Sequence, residues 1–236
     1  MRWNRWIGLH CVVAVWIAMA PVAQAQTPNL APDFTHRPAA SKLVVVPVDI
    51  ELFSISGGGV SEPKADWTNT AQLYFNKALL SLPALKTSNV TYLKDSDLDE
   101  LAEVNSLHGA VASSIFIHHM LGGGVNKLPT KDGKLLWSMG DAVSGLRAKT
   151  GADYALFTWV RDTYASAERK AAIVMMAILG VGIAGGTQVG YASLVDLKTG
   201  QVMWFNNLLR GSGDLREEKP ATETVQLLLT KFPALK

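Results

Sequence analysis

Between Lys170 and Asp196 the chain carries no charged residue, and from Ala171 to Gly186 every one of 16 positions is apolar or glycine. A run of this kind has three destinations: a bilayer, the inside of a domain, or a surface that a partner covers. As a helix, 16 residues span about 24 Å, whereas a bilayer core of about 30 Å asks for roughly 20. A transmembrane β-hairpin would alternate apolar and polar residues, and "AAIVMMAILGVGIA" does not. The composition fits a helix from Ser166 to about Leu179, loosened at its end by Gly180, Gly182 and Gly185, and burial of that helix in the domain is the leading expectation. Yet a helix apolar all round needs cover on every side, and a two-layer domain covers one. The glycines are of the type that lets helices approach closely. Ile173, Met176, Leu179, Gly180, Gly182, Gly185 and Gly186 therefore form a candidate interaction surface, with membrane insertion or association as the third reading.

The N-terminus sets the compartment. Arg2 and Arg5 precede an apolar stretch from Ile7 to Val22, and Ala23-Gln24-Ala25 is an A-x-A cleavage signal, so residues 1–25 are expected to be a removed export signal. Cys11 would leave with it, and His10 before it is the wrong neighbour for a lipidation site. The remaining 211 residues hold 20 Lys+Arg, 20 Asp+Glu and no cysteine. A neutral chain has no electrostatic claim on nucleic acid, and without disulfides a hydrophobic core must hold it together. The expected location is the periplasm, possible contact with the outer membrane included.

Residues 26–41, with Pro28, Pro32 and Pro38, read as an extended leader, and residues 42–236 as one domain. "KLVVVPVDIELFSI" is a strand buried on both faces at its start and alternating from Val48 onward. "WTNTAQLYFNKALLSLP" places Ala71, Phe75, Ala78, Leu79 and Leu82 at helical spacing, with Asp66 or Thr68 as candidate caps. A short strand at Asn89–Asp95, an acid-capped helix to Leu121, a short helix ended by Gly151 and an apolar strand in "ADYALFTWVRDTY" follow. After the uncharged stretch, Lys198-Thr199-Gly200 joins two β-runs into a hairpin, and "ATETVQLLLTKFP" closes the chain as an amphipathic helix. This order implies an α/β (α+β) sandwich: a mixed sheet packed against a layer of helices, with an apolar glycine-rich helical insertion before the C-terminal hairpin and helix. "TKDGKLLWS" and "LKTGQVMWF" echo one another as turn, apolar pair and Trp.

On "LPTKDGKLLWSMG", "GADYALFTWVRDTYAS" and "QVGYASLVDLKTGQVMWFN", the chain resembles a family of proteobacterial exported proteins over roughly residues 40–235. At the level of fold it also resembles periplasmic α/β domains of the curli-export-channel and polysaccharide-export lipoprotein type. The resemblance implies an envelope role in assembly or secretion, often as oligomers, with a second copy or other envelope proteins as partners. It transfers no catalytic residue and no cofactor.

Chemistry-bearing residues are few. His108, His118 and His119 share a predicted helix, but no acidic or cysteine partner accompanies them at ligand spacing, so no metal is expected. "GGGVNK" and "SGGGVSEPK" lack the lysine and hydroxyl that would open a phosphate-binding helix, and no G-x-S-x-G or H-E-x-x-H occurs. Arg161-Asp162 and Asp214-Leu215-Arg216 read as ion pairs, and Trp67, Trp137, Trp159 and Trp204 as core or, less readily, a ligand platform. The expected function is non-enzymatic: a structural or accessory envelope protein. The alternatives are a periplasmic ligand-binding module or enzyme, and a membrane-inserting oligomer.

Overall fold

The computed structural model describes residues 29–122 and 124–236. The expected signal at 1–25 lies outside the described residues. Seven strands form one mixed sheet: β1 (Leu43–Val45), β2 (Asp49–Ile55), β3 (Ser61–Pro63), β4 (Val90–Tyr92), β5 (Tyr154–Ala165), β6 (Gln188–Asp196) and β7 (Val202–Arg210). The α-helices among the described residues are α1 (Ala65–Ser81), α2 (Leu98–Ile115), α3 (Ser144–Thr150), α4 (Ala167–Ile178) and α5 (Glu218–Leu228).

Long, apolar β5 is the spine. One of its edges pairs antiparallel with β6, which pairs antiparallel with β7. The other edge takes both β1 and β2 in parallel, with Val45 opposite Leu156 and Asp49 opposite Trp159. Residues 46–48 therefore face only residues 157 and 158, a bulge centred on Pro47, which has no N–H to give a ladder. The strand expected to run unbroken from Lys42 to Ile55 is thus two strands in line. Its burial follows the expected change, buried throughout in β1 and alternating in β2.

The outer edge of this broken strand is only partly closed. Parallel β4 covers Leu43–Val45 and antiparallel β3 covers Phe53–Ile55, so residues 46–52 between them have no strand beside them. Thr68 Oγ1 accepts from Leu52 N at 3.0 Å, so this residue, a candidate helix cap from sequence, secures the sheet edge instead. Lys64 occupies the N-cap position of α1 without a side-chain cap.

Helices cover both faces of the sheet, giving three layers. On one side Phe75 and Leu79 of α1 and Val225 and Leu228 of α5 pack on Leu52, Leu156, Val160, Leu194 and Trp204. On the other, Ile115 of α2, Phe116 directly after α2, and Leu146 of α3 pack on Val44, Val46, Phe157, Tyr191 and Phe205. Gly151 takes φ 63° at the end of α3, and Gly200 takes φ 71° in the β6–β7 turn, as the turn chemistry requires. The two echoing segments meet each other: Ser138 bridges Gln201, and Met139 N donates to Gly200 O at 2.8 Å. Asp132-Gly133 makes the expected turn without flanking paired strands.

The described part of the leader is docked on the body. Leu30 pairs with Trp204 of β7 and Arg37 with Leu235, while Ala31 and Phe34 enter the core.

Candidate functional site

The uncharged stretch joins two antiparallel neighbours, β5 and β6, as an excursion beyond their ends. Its helix starts where Ser166 Oγ accepts from Arg169 N at 3.2 Å, an N-cap with Glu168 in the first turn to suit the positive helix end. It stops by a Schellman arrangement: Gly180 N donates to Ala177 O at 3.0 Å and Val181 N to Met176 O at 2.9 Å, with Gly180 at φ 75°. The Arg169 guanidinium donates to Ala184 O at 3.2 and 3.3 Å, tying the helix to its own return segment.

The helix is where the sequence places it, but its expected burial is overturned: no residue of α4 is buried. Its underside is turned to the chain, with Ile173 and Met176 half-buried and Ile173 Cδ1 against Gly185. The outer face carries Val174 (61% exposed), Met175 (64%), Ile178 (75%) and Leu179 (73%), continued by Val181. The reason is geometric. Both sheet faces are already filled by α1, α5, α2 and α3, and the excursion begins only after β5 has run past them.

The glycines divide by role. Gly180 ends the helix, and Gly182 borders open space. Gly186 is set against the β5 backbone, where a Cβ would run into the Thr163 carbonyl. Thr163 and Thr187 close the base of the excursion, with Thr187 N donating to Thr163 Oγ1 at 2.7 Å and Thr163 N to Thr187 O at 3.1 Å. Of the candidate surface, Leu179, Gly180, Gly182 and Gly185 are exposed, and Ile173, Met176 and Gly186 brace the excursion from beneath. Nothing among the described helices is long and apolar enough to cross a membrane.

Beneath α4 lies a polar cleft of about 310 Å³, bordered by Asp162, Lys170, Gly186, Gln188, Ser212 and Asp214. Asp162 points to the face opposite its neighbour Arg161, which pairs instead with Asp49 at 2.8 Å and Glu51 at 3.4 Å. The expected Arg161–Asp162 pair therefore does not form. Asp162 is buried and accepts from the Tyr164 hydroxyl and from Gln188 Nε2 at 2.6 Å. Gln188 Oε1 accepts from Arg210 Nε at 2.8 Å, and the Tyr164 hydroxyl accepts from Leu215 N at 2.8 Å. Burial pushes the Asp162 carboxyl up to about 6 against the relief of its two hydrogen bonds, and raises the Tyr164 phenol as well. Asp214 and Arg216 form the expected pair, two-pronged at 2.8 and 2.6 Å, with the guanidinium lying 4.0 Å from the Tyr164 ring centroid. Sequence reading passed over this network. Its signal was a carboxylate and an amide, Asp162 and Gln188, at inward positions of otherwise apolar strands.

The other candidates disperse. His108 is buried between α2 and the sheet, 2.9 Å from Ser193 Oγ and stacked on Phe157 at 5.0 Å, and burial holds its imidazole down to about 3. His118 instead lies by the Asn126 carbonyl at 2.8 Å and the Trp137 ring. Among the described residues no three His, Cys, Asp or Glu come together as a metal site. The tryptophans form no platform: Trp204 is in one core, Trp159 stacks on Tyr191 on the other face, and Trp67 lies under Arg216.

No protein-family model matches the chain, and no curated protein matches it. Among solved structures it is similar to the PelC dodecamer from Paraburkholderia phytofirmans, at 13% identity over 86% of this chain and 94% of that one, with a TM-score of 0.38. It is also similar to the lipoprotein GNA1162 from Neisseria meningitidis, at 15% identity, covering 73% of this chain and 81% of that one, with a TM-score of 0.30. The LpoB C-terminal domain from Salmonella enterica gives 12% identity over 76% of this chain and 87% of that one, with a TM-score of 0.28.

Proposed function

We propose that this chain is a non-enzymatic, exported protein of the cell envelope with a structural or accessory role in assembly or secretion, acting by association with copies of itself through α4. The observation that carries the reading is a helix that buries none of its residues while holding Val174, Met175, Ile178 and Leu179 out in water. Together with Val181 these side chains expose on the order of 500 Å² of apolar surface, at the upper end of what a monomer usually shows in one patch. Covering that area is worth roughly 12 kcal/mol at 25 cal/mol per Å², enough to offset much of the cost of association. The ligand-binding alternative is less well supported, because the buried polar groups of the cleft beneath α4 are already committed to one another. A helix lying on lipid would carry basic residues along a polar face, whereas α4 has none after Lys170.

Sedimentation of the purified mature protein over a concentration series tests this. Wild type is expected to associate, and Ile178→Ser with Leu179→Ser to give a folded monomer whose unfolding midpoint does not change with concentration, whereas that of wild type rises with it. Leu227→Ser, on an exposed leucine of α5, is the control that should associate as wild type does. A wild-type protein that stays monomeric at every concentration removes the reading, and capture by lipid vesicles in its place would favour the membrane alternative.

A further inference from the structure

The unpaired stretch of sheet edge between β4 and β3 opens into a second cleft, of about 300 Å³, remote from α4. It is bordered by Pro47 at the bulge, Leu79 and Leu80 of α1, and Tyr92, Leu93 and Lys94 at the end of β4. Its lining contains no carboxylate. Leu80 is 52% exposed, and Leu73, one heptad earlier on the same helix face, is 65% exposed. One heptad of α-helix returns to within about 20° of the same direction, so Leu73 lies on the helix face that Leu80 turns to the cleft, with Asn76 and Lys77 between them.

We infer that this cleft receives the α4 surface of a second copy, so that the chain assembles head to tail. The inference rests on the reading that α4 is an association surface and adds what it associates with. The two surfaces match in chemistry. The donor is aliphatic, and it ends in helix carbonyls with no basic residue in the last turn. The acceptor is mostly apolar, with the Asn76 amide and the Tyr92 ring in its lining, and carries an exposed cation at its rim, Lys94, of the sign that a helix C-terminus favours. They cannot meet within one copy. The cleft lies level with Leu156 of β5, whereas α4 leaves β5 after Ala165, about 30 Å further along at 3.3 Å per residue, and is pinned there by Thr163 and Thr187. Symmetric pairing of α4 with α4 would cover the helix and leave Leu73, Leu80 and the cleft in water. A head-to-tail contact covers both, and by its symmetry it continues from copy to copy until it closes or is blocked.

Two blocked variants test it. Ile178→Glu removes the donor and keeps the cleft, while Leu80→Glu removes the acceptor and keeps α4. Each alone should be a folded monomer, and an equal mixture should form a pair with twice the monomer mass and nothing larger. If Leu80→Glu assembles like wild type, or the mixture stays monomeric, the head-to-tail contact is wrong. In the first of those cases the reading of α4 as an association surface survives. If wild type itself never associates, both fail. A milder pair of changes guards against misfolding by the charged variants. Cys11 is the chain's one cysteine and falls within the expected signal, so Leu80→Cys and Leu179→Cys can be introduced into an otherwise thiol-free mature chain. Oxidation should link Leu80→Cys copies to Leu179→Cys copies and leave each variant alone unlinked. Self-linking of Leu179→Cys alone would instead identify symmetric pairing and overturn the inference.

Discussion

Asp162 and His108 lie on opposite faces of the sheet, and pH acts on them in opposite senses. The Asp162 carboxyl is raised from 3.8 to about 6, so the folded chain binds its proton more tightly than the unfolded one. Its contribution to stability is complete below pH 4 and is lost as pH rises through 6. The His108 imidazole is lowered from 6.5 to about 3, so its contribution is complete above 6.5 and is lost as pH falls toward 3. Between pH 6 and 4 the two terms therefore oppose one another. Asp97, Glu168 and Asp214 are lowered in the folded state and, like His108, lose their contribution as pH falls. Asp162→Asn is thus expected to lose more stability in urea than wild type does between pH 6 and 4, because the histidine term is left unopposed. Parallel pH profiles for the two proteins would refute this assignment.

At the scale of the element, α4 depends on local devices because it has no core to hold it: the Ser166 cap, the Arg169 tie to Ala184 and the Gly180 terminus. Ser166→Ala should cost the helix about 1 kcal/mol, seen as faster hydrogen exchange confined to residues 167–178 while the global unfolding midpoint holds. Unchanged exchange would remove Ser166 as the device that holds the helix, and a shift of the midpoint by the full amount would mean that α4 is coupled to the body. The existence of this helix was legible because its boundaries are written locally, in a serine and a glycine. Its exposure was not legible, because an apolar run looks the same inside a domain and outside it. What decides is whether other elements have already taken the sheet faces, and that depends on Phe75, Ile115 and Val225, far away in sequence. The Pro47 break was present in "VVVPVDI", yet reading it as a bulge requires knowing the partner strand. The Asp162 network needed residues from β5, β6, β7 and the loop before α5 to be brought together.

For the whole molecule, the described leader has a structural role. Ala31 N donates to Met203 O and Phe205 N to Asn29 O, both at 2.9 Å, which closes part of the free edge of β7. The Arg37 side chain is buried, and its Nε donates to Pro233 O at 3.1 Å, so the two ends of the domain clasp. A chain begun at Lys42 loses the burial of Phe34 and Ala31 and these bonds, on the order of 3 to 5 kcal/mol, and exposes a strand edge. Urea unfolding should show the loss and light scattering the aggregation that follows, and an unchanged midpoint would make the leader dispensable. Where Gly186 lies against Thr163 the frame is pinched shut, and this divides the molecule into two regions under different physical constraint. Inside the pinch, strand register and core volume restrict every replacement. Outside it, the excursion can be lengthened, shortened or exchanged without disturbing the sheet. The excursion is therefore the part of the chain whose length and composition the sheet constrains least.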